Sequence, residues 1–245
     1  DEATILALTQ RLFAPDGYVT EEQDATAVFV DTVQRMGEYF TALAEDRRAR
    51  PRDDLASLLS NATLNGEPLD PFTLTSYFVL LATAGHDTTS ASIAGGMLAL
   101  IEHPQQLERL RAQPELLPRA ADEMIRWVTP VKHFARTALQ DVELRGQQIR
   151  KGDTLAMFFA SANRDEEAIP QAGQFDVSRQ GSRHLAFGHG RHNCLGMHLA
   201  RMEIECFFGH LLPQLESAEL AGQPQYIPSQ FVSGLQSLPL TMRFR

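Results

Sequence analysis

The stretch from about Pro71 to Glu102 limits the fold more than any other part of this 245-residue chain. Its middle is almost wholly apolar or small, so a helix over it would be buried all round and central. Pro71 suits a first helical turn, and Pro104 lies just beyond the end. Inside the stretch, Ala84-Gly85-His86-Asp87-Thr88-Thr89 breaks the pattern. A glycine, an acid and two hydroxyls in a buried helix oppose helix propensity. Such violations are expected where a protein works. Hydroxyls that bond back to a carbonyl bend a helix and open a pocket beside it. The plain alternative puts Asp87 on a solvated face and leaves Thr88 back-bonded.

A second feature is Phe187-Gly188-His189-Gly190-Arg191-His192-Asn193-Cys194-Leu195-Gly196, the loop 187–196. Its glycines permit positive φ and let the backbone approach a flat object closely. From about Leu195 the periodicity is helical, with Leu195, Leu199, Met202, Cys206 and Leu211 on one apolar side. Cys194 would then sit at a helix N-terminus, where partial positive charge and free N–H groups favour a thiolate. A thiolate so held is a good axial ligand for haem iron. An ordinary buried cysteine before a helix is the competing reading.

The remaining chain reads as helices, then short strands. Residues 1–14 look helical and end at Pro15-Asp16-Gly17. Thr20 with Glu21, Glu22 and Gln23 caps a second helix to about Arg50, with Val28, Val33, Met36, Phe40 and Leu43 at helical spacing. Asp53-Asp54 can cap a short helix, and Asn65-Gly66 marks a tight turn. Helices are expected over 104–113 and 117–128. In the second, Glu123 and Arg126 share a face at i, i+3 and can pair. Residues 131–138 read as extended, with a hairpin around Arg145-Gly146 and an apolar run from Thr154 to Phe159. Ser161 to Asp165 is a short helix or turn, an irregular meander follows to Arg183, and the tail 227–245 reads as short strands.

Composition excludes several classes. The net charge of −9 opposes a nucleic-acid partner, which needs a basic surface. No apolar run is long enough to span a bilayer, so no membrane is expected. Two cysteines twelve positions apart, Cys194 and Cys206, are not a disulfide framework, and the expected location is cytoplasmic.

Three motifs occur in a fixed order: AGHDTT, ExxR and FGHGRHNCLG. Together they resemble a bacterial cytochrome P-450. The phrases ATAGHDTTS, PVKHFARTAL, RGQQIRKGD and SANRDEE are most similar to the terpineol-hydroxylase group, and less closely to bacterial oxidases of steroid side chains. The implied fold is mainly α with a small β component. Residues 1–245 would be the C-terminal part of a single domain, the family's N-terminal portion being absent.

The resemblance implies that Cys194 is the proximal ligand of haem b. His192 and Arg136 would contact haem propionates, and Phe187 and Gly188 would pack beside the sulfur. Ala84 and Gly85 would line the distal face, with Asp87 and Thr88 as the acid–alcohol pair that delivers protons. Val131, Phe134, Phe231 and Val232 would reach into the substrate pocket. Glu123 and Arg126 would form a buried structural pair tied to Arg164 or a neighbouring meander residue. The implied reaction is hydroxylation of a small apolar substrate, a terpenoid, with dioxygen. Electrons would come from an iron–sulfur ferredoxin and its NAD(P)H-dependent reductase, with Arg191 facing the ferredoxin.

Two rivals come from other classes. His184, His189, His192, Cys194 and His198 lie close in sequence and could bind zinc, although structural zinc usually takes more than one cysteine. Alternatively the chain is a truncated haem-fold remnant without catalysis. Dinucleotide binding fails because Gly188-x-Gly190 lacks the third glycine.

Overall fold

The computed structural model describes residues 2–13, 24–181 and 183–245. The chain forms two compact units, Asp1–Asp87 and Thr88–Arg245.

The first unit holds α1 (Glu2–Phe13), α2 (Ala25–Ala49), α3 (Leu55–Ser60), the short hairpin β1 (Thr63–Leu64) and β2 (Glu67–Pro68), and the first half of α4 (Pro71–Glu102). The expected capping box at Thr20 and the turn at Pro15-Asp16-Gly17 lie outside the described residues. Within them Asp24 caps α2, its carboxylate accepting the Thr26 N–H at 3.0 Å. The buried stripe of α2 is Val28, Thr32, Met36, Phe40 and Ala44, a strict i+4 row. Val33 is exposed instead, and Thr32 is buried in the row because its hydroxyl bonds back to the Val28 carbonyl at 2.7 Å. Phe40 stacks on Phe78 of α4, with ring centroids 5.4 Å apart. Two arginines in the last turn of α2 tie it to α3. Arg47 binds Asp54, the α3 cap, at 2.9 Å, and Arg48 donates to the Ser60 carbonyl at 2.9 Å. The hairpin turns through Asn65 and Gly66, both at positive φ, as the Asn-Gly pair requires.

Helix α4 has the bounds the prolines mark, and it is helical through Gly85 and Asp87. It is not buried all round. Leu74 and Phe78 are packed, while Phe72, Tyr77, Leu80, Ala84 and Gly85 are exposed. Among the described residues, one side of its first half is covered. Back-bonding occurs at Thr83, which donates to the Val79 carbonyl, and at Ser92, which donates to that of Thr88.

The second unit continues through α5 (Pro104–Ala112), α6 (Leu117–Val128), β3 (His133–Thr137), β4 (Val142–Leu144), β5 (Gln147–Ile149), β6 (Thr154–Phe158), α7 (Phe159–Ala162) and α8 (Met197–Gln214). It ends in β7 (Leu215–Leu220), β8 (Gln225–Tyr226), β9 (Leu235–Ser237) and β10 (Leu240–Phe244). The strands pair antiparallel as β3·β6, β4·β5, β7·β10 and β8·β9. The fold is mainly α with a small β component: α4 has 32 residues, the longest strand 6. The core joins α4, α5, α6 and α8 through Leu100, Leu110, Met124, Ile204 and Phe208. Gly95 and Gly96 let α6 approach α4. A methyl at Gly95 would meet Val128 Cγ2 at 2.5 Å, and one at Gly96 would meet Met124 Sδ at 2.8 Å.

Of the apolar row expected on α8, only Leu211 packs against the core. Ile204, Phe208 and Leu212 are buried, whereas Leu195, Leu199, Met202 and Cys206 are exposed. The helix carries two apolar rows at the same period, and the core takes the one holding the aromatic and β-branched side chains.

Candidate functional site

The site is assembled from a loop locked by its own backbone. Ala186 and Phe187 turn the chain, with the Gly188 N–H donating to the Leu185 carbonyl at 2.9 Å. Gly188 and Gly190 take φ of 70° and 67°. A methyl at Gly188 would also lie 2.9 Å from the His192 carbonyl oxygen, so the loop closes where no side chain fits. A single 3₁₀ turn, Gly190–His192, follows, and the Cys194 N–H returns to the Phe187 carbonyl at 2.8 Å. Helix α8 begins at Met197 with Gly196 as its cap. Cys194 therefore precedes the helix by two residues more than its sequence implies.

Cys194 is a free, exposed cysteine, and His192 and Arg191 beside it are exposed. The open row Leu195, Leu199 and Met202 continues from the sulfur. Phe187 is half-buried beneath the Arg201 guanidinium, 4.8 Å from its ring centroid. Among the described residues, no three His, Cys, Asp or Glu side chains converge as a metal-binding group. The histidines and cysteine that lie close in sequence form no such group among the described residues.

Four of the expected pocket residues do come together. Val131 and Val232 form an antiparallel bridge, and the Lys132 N–H donates to the Phe231 carbonyl at 2.9 Å. The Phe134 and Phe231 rings meet edge to face at 5.3 Å. Arg136 lies in the same strand β3, half-buried, with Nη1 on the Ala135 carbonyl at 2.8 Å.

Ala84, Gly85 and Asp87 share one stretch of α4, and Thr88 follows directly. The Asp87 side chain is 13% exposed, and its Oδ2 is buried without a hydrogen-bond partner. Burial pushes its carboxyl above the usual range, opposed by His86, whose Nε2 is 3.7 Å from Oδ1. Burial disfavours the charged form, so this carboxyl holds its proton more tightly than a solvated one.

Behind the loop, the Glu123–Arg126 pair is wholly buried. Every Arg126 donor is used. Nε and Nη2 reach Glu123 at 2.7 and 2.8 Å, while Nη1 and Nη2 reach the carbonyls of Asn163, Ala172 and Gln174. Glu123 also accepts from Arg179 Nε at 3.0 Å and the Asp176 N–H at 2.9 Å. Of the two expected alternatives, the third member is a meander residue, Arg179, rather than Arg164. Arg164 instead lies over the Trp127 ring at 4.1 Å and donates to the Trp127 carbonyl. Arg179 sits 56 positions from its partner, a separation at which helical spacing carries no signal.

The cytochrome P450 family model matches residues 7–243. The chain belongs to the cytochrome P450 family. It is 43% identical to cytochrome P450-terp of Pseudomonas sp over 98% of its own length and 58% of that protein's. Against linalool 8-monooxygenase of Pseudomonas putida the identity is 38%, covering 86% of this chain and 53% of the relative. The Mycobacterium marinum cytochrome P450 CYP268A2 in complex with pseudoionone superposes with a TM-score of 0.92 at 39% identity, covering 98% of this chain and 59% of that one. The chain thus spans a little over half the length of these P450s. The donor set suits the haem thiolate of the family: a soft sulfur on a glycine-closed loop, open apolar side chains beside it, and basic side chains in the same loop.

Proposed function

We propose that this chain is the greater part of a haem-thiolate monooxygenase that hydroxylates a small terpenoid. Support comes from the P450 family match, from relatives named for terpene substrates, and from the geometry around Cys194. The observation that carries the reading is the free sulfur of Cys194, exposed on a loop closed at Gly188 and continued by an open apolar row.

Cys194 Sγ would hold the iron of haem b, and bound haem would supply dioxygen activation and the oxidising equivalents for C–H hydroxylation. Arg136 and His192 offer N–H donors to the propionate carboxylates. Phe187 and Gly188 would pack beside the sulfur and keep its loop compact. Ala84 and Gly85, which carry so little side chain, would leave room for dioxygen. Asp87 Oδ2, buried and unpaired, would carry a proton and pass it through Thr88 Oγ1. Val131, Phe134, Phe231 and Val232 wall an apolar guest, with no charged group among them to favour a polar one. Electrons would come from an iron–sulfur ferredoxin and its NAD(P)H-dependent reductase, docking where Arg191 is exposed.

The test is the absorption of the reduced, carbon-monoxide-bound full-length protein. The red-shifted band of a thiolate-ligated haem is expected, and Cys194→Ser should abolish it. Retention of the band in that variant would overturn the ligand assignment. Titration with a monoterpene alcohol should shift the haem spin state, and a haem-loaded protein that never responds would refute the substrate class.

A further inference from the structure

Two side chains, Arg201 and His184, lie against the Phe187 ring, and both meet one carboxylate of the ExxR helix. Arg201, on α8, places its guanidinium 4.8 Å from the Phe187 centroid. The same guanidinium grips Asp122 Oδ1 through Nε at 2.9 Å and Nη2 at 2.7 Å. His184, whose side chain is 3% exposed, tilts against the same ring at a centroid distance of 5.7 Å. Its Nδ1 accepts the Ala186 N–H at 3.3 Å, which leaves the proton on Nε2. That nitrogen lies 3.2 Å from Asp122 Oδ1, in polar contact with it but not aligned as a hydrogen bond. The Phe187 carbonyl, in turn, accepts the Cys194 N–H at 2.8 Å.

A ring contact reached through a charged side chain is an unusual way to hold a core aromatic. Phe187 already packs against the apolar core of its unit, so burial alone would keep it there. The added contacts fix its position along the loop, where a small displacement would move the carbonyl bonded to the Cys194 amide. A guanidinium over an aromatic face is drawn to the ring's negative face, which favours one ring orientation over another.

Resting on the proposed ligand role of Cys194, we propose that Asp122, His184 and Arg201 are positioning residues for that sulfur, acting through Phe187. Asp122 fixes Arg201 and His184, these clamp the Phe187 ring, and the Phe187 carbonyl fixes the Cys194 amide. The electron density that the sulfur lends the iron then depends on residues that touch neither.

A double-mutant cycle on the full-length, haem-loaded protein tests this, read as the reduction midpoint potential and as hydrogen exchange in the loop peptide containing Cys194. Arg201→Gln should shift the potential and speed exchange at least threefold in the native background. Arg201→Lys, which keeps the cation on Asp122, should recover most of both. In a Phe187→Leu background, Arg201→Gln should change neither further. Equal shifts in both backgrounds would overturn positioning through Phe187 and leave only a direct field of the cation. A lowered melting temperature with native potential and exchange would overturn it too, as the mark of a merely structural role. Should Arg201→Gln fail to load haem, His184→Gln carries the same cycle and the same outcomes. If Cys194→Ser keeps the thiolate band, the ligand assignment itself fails, and the spectrum separates that failure from failure of the clamp.

Discussion

Gly95 of α4 stands so close to Val128 of α6 that a methyl group there would lie 2.5 Å from Cγ2. Contact this tight between two helices fixes their separation, and with it the height of the ExxR helix that carries Asp122, Glu123 and Arg126. Gly95→Ala should destabilise the protein by about 1–3 kcal/mol, since Val128 is branched at Cβ and cannot swing away. Gly96→Ala should cost less, because the Met124 side chain it meets has more freedom to move. Urea unfolding of the two variants checks the order, and equal midpoints would refute it.

The Glu123–Arg126 pair predicts a larger loss. Both side chains are fully buried, and between them they satisfy carbonyls of Asn163, Ala172 and Gln174 and the amide of Asp176. Arg126→Leu leaves three carbonyls and a carboxylate short of partners, and should cost about 3–5 kcal/mol in the same measurement. Replacing Arg164, which only covers Trp127 and the end of α6, should cost clearly less.

Asp87 gives a pH signature of defined sign. Burial raises its folded-state carboxyl value, so the folded protein binds the proton more tightly than the unfolded chain. Its ionisation therefore opposes folding, from about pH 4 upward through the raised folded value, and costs nothing below that window. Asp87→Asn should raise the melting temperature at pH 7 and leave it unchanged at pH 3. Thermal melts at the two pH values decide it, and a variant less stable at pH 7 would show that the carboxylate is favoured by the fold.

Thr88→Ala addresses the proton route. Without that hydroxyl, the full-length enzyme should consume NAD(P)H at a comparable rate but release a larger share as hydrogen peroxide. Product formed per NAD(P)H is the readout, and an unchanged ratio removes Thr88 from the route.

Gly188→Ala tests the loop closure. It adds a methyl 2.9 Å from a carbonyl oxygen at a φ of 70°, so the loop must shift. Haem retention after gel filtration should fall well below that of Gly190→Ala, which meets the same conformational penalty with open space around it.

Much of this was legible in the chain itself, for identifiable reasons. Proline marks both ends of α4 and the start of α5, so those bounds were readable to the residue. Asn65-Gly66 and Arg145-Gly146 announce their hairpins because both pairs take positive φ. The errors fall where two answers have the same period. Thr32 and Val33 compete for the buried row of α2, and a back-bonded hydroxyl decides for threonine. On α8 two apolar rows compete, and only packing distinguishes them. Arg179, and the meeting of Asp122, His184 and Arg201, depend on contacts between distant segments that no local pattern encodes. At the site itself, the residues of the cysteine loop and of the Phe134–Phe231 contact were nameable from their motifs, whereas the unpaired Oδ2 of Asp87 was not.

The two rows of α8 have a consequence for reading substitutions. Leu212 and Leu199 are the same residue on one helix, yet the first is 8% exposed and the second 58%. A polar residue at the first should register as lost fold. At the second it should leave the fold standing and appear instead as altered retention of whatever flat guest lies along the row. Leucine on this helix is thus two words with one spelling.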